Sequence, residues 1–142
     1  MDSNGRYLGS YRKTHLFGDL DCDMFSAGSG DEQLFDFRGW KVGILICYDV
    51  EFPENTRRLA LQGEDLIVVP TANMVGFDFV AQHLIRTRAY ENQVFVAYAN
   101  FCGQEAETAY NGLSYVAAPD GAVLSQGDCN PSLLLADLTL VL

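Results

Sequence analysis

Gly43-Ile44-Leu45-Ile46-Cys47-Tyr48-Asp49-Val50-Glu51-Phe52-Pro53-Glu54 is the stretch whose reading decides the fold. It lies within a run, Trp40 to Cys47, in which Val42, Ile44, Leu45 and Ile46 are bulky and nearly continuous, as in a strand buried on both faces. The run gives way to polar Tyr48-Asp49. Pro53 then opens a helix that continues from Thr56 to Gln62 and stops at Gly63.

Outward from this unit the same alternation recurs. Leu66-Ile67-Val68-Val69-Pro70 reads as a second apolar strand. Val80, Leu84, Ile85 and Ala89 recur at helical spacing between Phe79 and Asn92, and Val94 to Ala99 reads as a third strand. Ser114 to Ala118 and Val123 to Ser125 flank the tight-turn signal Pro119-Asp120-Gly121, and Leu133 to Leu138 is expected to form a last strand. Upstream, Asn4-Gly5 predicts a turn followed by a short strand carrying Tyr7, Leu8 and Tyr11. An acidic loop rich in Gly and Ser (Asp19, Asp21, Asp23, Asp31, Glu32) then leads to Leu34-Phe35-Asp36-Phe37. The order β-α-β-α-β followed by a hairpin predicts an α/β sandwich with a mixed sheet, and the absence of repeats or linkers predicts one domain over residues 1–142.

Composition narrows the classes of function. A net charge of −10 with no cluster of Lys and Arg repels nucleic-acid phosphates. The longest stretch without a charged side chain, 92–104, is shorter than the roughly 18 apolar residues of a membrane span. No basic-then-apolar leader follows Met1, so the cytoplasm is the expected compartment. The four cysteines (Cys22, Cys47, Cys102, Cys129) form no C-x-x-C pair and have only two histidines to accompany them, which argues against a disulfide scaffold or a zinc site.

Cys47 stands where a buried strand meets polar residues, and catalytic groups in open α/β sheets gather at the carboxyl ends of strands. That position suits a nucleophile; the plain alternative is a cysteine filling the core. Lys13 lies between Tyr11 and Leu16-Phe17, where it reads either as an inward cation that stabilises an oxyanion and a thiolate, or as a solvated lysine at a strand end. His15 and His83 read as packing histidines. Glu54, Arg88, Glu91 and Asn92 fall at places the pattern would bury, as a solvated face or as a network ordering the cysteine loop. Asn73 and the following Met74-Val75-Gly76-Phe77 loop are where side chains would line a substrate.

Taken together, Tyr11-Arg12-Lys13-Thr14-His15-Leu16-Phe17-Gly18 and the opening stretch resemble the lysine and cysteine motifs of the nitrilase superfamily of carbon–nitrogen hydrolases. Asp65 to Asn73, Arg88-Ala89-Tyr90-Glu91-Asn92, and Gly112-Leu113-Ser114 leading to Pro119-Asp120-Gly121 extend the resemblance along the chain. The resemblance implies an α-β-β-α sandwich, of which this chain would be the carboxyl-terminal portion, and a cysteine–lysine–glutamate amidase acting on small amides or nitriles without metal or cofactor. It makes Cys47 the nucleophile and Lys13 the oxyanion cation, with the backbone N–H of Tyr48 as the second donor. It also implies a homodimer or larger homo-oligomer. The family's general-base Glu lies upstream of its Lys motif, and no Glu precedes Lys13 here. A second carboxylate often follows that motif, and Asp19 and Asp21 are the candidates for it.

Overall fold

The computed structural model describes residues 1–30 and 35–139. Asp31, Glu32 and Leu34 of the acidic loop lie outside them. Three parallel strands, β2 (Trp40–Ile44), β3 (Leu66–Thr71) and β4 (Phe95–Asn100), form the centre of a six-stranded sheet. The antiparallel β1 (Phe35–Phe37) extends it on one side, and β7 (Tyr115–Ala117) and β8 (Val123–Gln126) extend it on the other. Helix α2 (Pro53–Gln62) connects β2 to β3. A single π turn (Val80–Leu84) running into α3 (Ile85–Asn92) precedes β4. The mixed sheet and the helices therefore follow the order expected from the sequence.

Pro53 occupies the first turn of α2, where its missing N–H leaves nothing unsatisfied, and Gly63 closes the helix at φ 94°. Helices α2 and α3 pack against each other and cover one face of the sheet, with Leu59, Ile67, Val69, Ile85, Ala89, Val96 and Tyr98 in the core. Gly43 permits the close approach, because a Cβ there would lie 3.0 Å from a methyl of Leu59. The π turn also has a local cause. The buried Tyr115 hydroxyl donates to the Ala81 carbonyl and competes with the helix ladder at that point.

Burial on both faces, expected from the apolar runs, is not what these residues show. Ile67, Val69 and Val96 are buried against the helices, whereas Val42, Ile44, Leu66, Val68 and Ala97 on the opposite face are only half-buried. Three further expectations are corrected. Residues 6–12 form no strand, because no strand pairs with them among the described residues. Residues 133–138 form none either: Leu133 and Leu135 project into solvent, and their alternation meets no edge to pair with. Part of the acidic loop is a helix, α1 (Gly18–Met24), which carries Asp19 and Asp21 in its first turn, where they suit the helix dipole; it buries nothing and so leaves no apolar periodicity to read. The polar hairpin of β5 (Cys102–Glu105) and β6 (Thr108–Asn111) escapes sequence reading for the same reason.

Candidate active site

The chain leaves β2 and enters a 3-10 turn, Cys47–Glu51, whose first residue has φ 50°. That left-handed conformation is costly for any residue with a Cβ, and held strain of this kind concentrates at functional positions. The Cys47 thiol is half-buried, and burial pushes it above its ordinary range. The backbone N–H groups of Ala72 and Tyr48 and the positive charge of Lys13 pull it back, while Glu51 adds to the rise. Glu51 is itself raised by burial, an effect eased by Arg88. Behind them, the buried Tyr98 hydroxyl faces Asn73 and Thr71 and is pushed well above its ordinary value by burial and by Cys47.

Lys13 reaches this centre from the preceding loop, and its ammonium forms an ion pair with Asp21 at the start of α1. Burial alone would raise the Asp21 carboxyl, but the bonds from Lys13 and from the Phe17 N–H, at 2.9 Å, together hold it below the ordinary value. The backbone of Lys13 is fixed by Gly28, whose N–H donates to its carbonyl at 2.8 Å. Only glycine fits there, since a Cβ would stand 2.5 Å from the Arg12 carbonyl oxygen. Of the two candidate aspartates the structure brings Asp21 to Lys13 and leaves Asp19 exposed on the outer side of the helix. Asn73 is buried and donates from its side chain to the Phe77 carbonyl at 3.1 Å, so it braces the loop after β3. Tyr48 contributes an aromatic edge: its ring meets Phe17 at 5.1 Å and Phe52 at 5.0 Å, and Phe17 meets Phe77 at 5.6 Å.

Arg88 is buried and donates to the carbonyls of Val50 at 3.0 Å and Glu51 at 2.7 Å while pairing with Glu91, so it does order the cysteine loop. Asn92 is buried and bonds within its own helix at Arg88. Glu54 takes the solvated-face alternative, exposed in the first turn of α2, and His83 is exposed on the π turn where a packing role was expected.

Sequence reasoning missed Asp49. Its carboxylate is wholly buried, and it accepts hydrogen bonds from the Tyr11 hydroxyl, the Thr14 and His15 backbones and the Ile46 N–H. The only signal was a charged residue directly after a buried strand. His15 stacks on Phe52 at 3.9 Å beside this carboxylate. Two clefts lie elsewhere, one lined by Tyr11, Arg12 and Ser29, the other by His83, Arg86 and Asp120.

The chain is 56% identical over 138 residues to the hydrolase in the pqqF 5' region of Pseudomonas protegens, a match covering 97% of this chain and 48% of that protein. Among solved structures it resembles the amidase from Nesterenkonia sp. AN1 in two forms. One is a cysteine-to-alanine mutant in complex with butyramide, at 37% identity and TM-score 0.93, covering 96% of this chain and 52% of that one. The other shows covalent addition of the acetamide moiety of fluoroacetamide at the active-site cysteine, at 38% identity and TM-score 0.89, covering 92% and 50%. The chain thus spans about half the length of the relatives it matches. The carbon-nitrogen hydrolase family model matches residues 1–142, and the chain belongs to that family.

Proposed function

We propose that this chain carries the nucleophile of an enzyme that hydrolyses a small aliphatic carboxamide to the acid and ammonia. The observation that supports this most directly is the Lys13–Asp21 ion pair standing within electrostatic reach of a half-buried thiol on a strained turn. Butyramide, found in complex with one Nesterenkonia form, and fluoroacetamide, whose acetamide moiety is added to the active-site cysteine of the other, are small aliphatic amides, and the Phe17, Tyr48, Phe52 and Phe77 rings suit a short apolar chain.

In this reading the Cys47 sulfur forms a bond to the amide carbon as its proton passes to a general base. The carbonyl oxygen becomes an oxyanion stabilised by the Lys13 ammonium and the Tyr48 N–H. The C–N bond then breaks, the nitrogen takes a proton and leaves as ammonia, and a thioester remains on Cys47. Water attacks that thioester, giving the carboxylic acid and restoring the thiol. Asp21 holds the Lys13 ammonium oriented through their ion pair. We assign the base to a glutamate of the kind the family places upstream of its Lys motif, because Asp21 is engaged by Lys13 and Asp19 is exposed. A homodimer or larger assembly in the cytoplasm completes the proposal; the half-buried second face of the sheet supports the assembly, and the unpaired cysteines suit a reducing compartment.

The test compares ammonia release from butyramide and acetamide by the chain alone and by the chain joined to the amino-terminal half of the Pseudomonas protegens hydrolase, each with a Cys47→Ala control. Turnover by the joined protein, abolished in the control, is expected. General acid–base catalysis is typically worth about 10²–10⁴-fold, so the chain alone should be slower by at least that factor. Comparable Cys47-dependent turnover by the chain alone would overturn the assignment of the base and point to Asp21, Asp19 or Glu51. No turnover by either protein, with the joined one folded, would overturn the amidase reading.

A further inference from the structure

The Asp49 carboxylate joins two segments, the one that follows Lys13 and the one that precedes Cys47. Its Oδ1 accepts from the Thr14 N–H at 3.1 Å, the Thr14 hydroxyl at 2.9 Å and the His15 N–H at 2.8 Å, all from residues directly following Lys13. Its Oδ2 accepts from the Tyr11 hydroxyl at 2.9 Å and the Ile46 N–H at 3.0 Å, and Ile46 directly precedes Cys47. The Asp49 carbonyl in turn accepts from Asn55 of α2 at 2.8 Å, which ties the knot to the helix framework. Every group facing the two carboxylate oxygens is a donor, apart from the His15 ring nitrogen at 3.3 Å, whose role depends on its tautomer. Only an ionised carboxylate accepts from all of them at once.

We propose that Asp49 is a positioning residue for the reaction: it fixes the Lys13 ammonium in register with the Cys47 sulfur by holding the backbones beside both residues on one carboxylate. This rests on the reading of Cys47 and Lys13 given above, and it assigns Asp49 no contact with substrate. Two ring contacts, Phe17 with Tyr48 and His15 with Phe52, also cross between the two loops, but they hold neither backbone by a hydrogen bond. Gly28 fixes the Lys13 carbonyl and Arg88 fixes the far end of the cysteine turn, but neither spans from one loop to the other. The charged and titratable groups facing the sulfur are Lys13, Glu51 and Tyr98, and Asp49 acts on it only through the placement of Lys13.

The test is the rate at which iodoacetamide alkylates Cys47 in the whole chain as a function of pH, read by peptide mapping so that Cys22, Cys102 and Cys129 are scored separately. This needs no turnover, so it can fail while the amidase reading stands, and the reverse. Asp49→Asn places an amide NH₂ against donors and is expected to slow Cys47 alkylation at pH 7.5 by about tenfold, since loss of an adjacent opposite charge moves a pKa by one unit or more. Lys13→Met should slow it similarly, and the double variant should be no slower than either alone, because both remove the same interaction. Tyr11→Phe, which deletes one donor and keeps the ring, should give a smaller change of the same sign and serves if Asp49→Asn does not fold. Multiplying effects in the double variant of a folded protein, or an unchanged pH profile in both Asp49→Asn and Tyr11→Phe, would overturn the proposal.

Discussion

Replacing Cys47 by alanine and by glycine separates the strain at the nucleophile from its chemistry. Both variants lack the sulfur, so they differ only in whether a Cβ is held at φ 50°. The left-handed conformation costs a residue with a Cβ roughly 1–2 kcal/mol. Glycine loses more freedom on folding, about 0.5–1 kcal/mol relative to alanine. The difference leaves the glycine variant more stable than the alanine variant by about 0.5–1 kcal/mol, the reverse of the order at ordinary positions. With a urea slope of about 1.5 kcal/mol per molar, the glycine midpoint should lie about 0.3–0.7 M higher. Arg57 in α2, exposed and helical, is the control: there Arg57→Gly should be less stable than Arg57→Ala by about 1 kcal/mol. A Cys47→Gly midpoint at or below that of Cys47→Ala, with the control behaving normally, would refute the claim that the turn stores strain at the thiol.

Three other outcomes follow from the same geometry. Asp21 has a lowered carboxyl in the folded chain, so its contribution to stability is fully present above the ordinary value of 3.8 and is lost as pH falls through the lower folded value. Urea unfolding should therefore show an Asp21→Asn variant less stable than the parent at pH 7, with the gap closing below pH 3.8. Arg88→Met leaves the Val50 and Glu51 carbonyls without their donor and should destabilise by about 3 kcal/mol in the same assay. Gly28→Ala forces a Cβ to within 2.5 Å of a backbone oxygen beside Lys13; it should cost about 1–3 kcal/mol and slow alkylation of Cys47 relative to that of Cys22.

What could be read from the sequence was whatever the core writes into it. Leu66 to Pro70, Val94 to Ala99 and the Pro53-to-Gly63 helix are patterned by burial against α2 and α3, and each appears within a residue or two of its expected bounds. The elements that were missed bury little: α1 has no buried residue, and the β5–β6 hairpin is polar along most of its length. Residues 133–138 show the converse error, an apolar alternation with no neighbouring edge to pair with. At the site, Lys13 stood out within its motif, whereas nothing in the sequence separated Asp21, which meets Lys13 in the structure, from Asp19. The role of Asp49 was not legible, because four of its five donors come from residues distant in sequence, which no local pattern records.

The strength of that knot bears on how the loops that carry Lys13 and Cys47 are held together. Thr14 and Asp49 are 35 positions apart, and closing a flexible loop of that length costs about 3 kcal/mol by chain statistics. Hydrogen bonds to a charged group contribute about 1.5–3 kcal/mol each, so two of the four that cross from Tyr11, Thr14 and His15 suffice to offset closure. The others are redundant for bringing the segments together. Their effect is on angle and distance: three donors converging on Oδ1 and two on Oδ2 leave the carboxylate one orientation, and with it the Lys13 loop one position over the cysteine turn. Two bridges alone would close the loop yet leave the Lys13 backbone freer to swing over the cysteine turn.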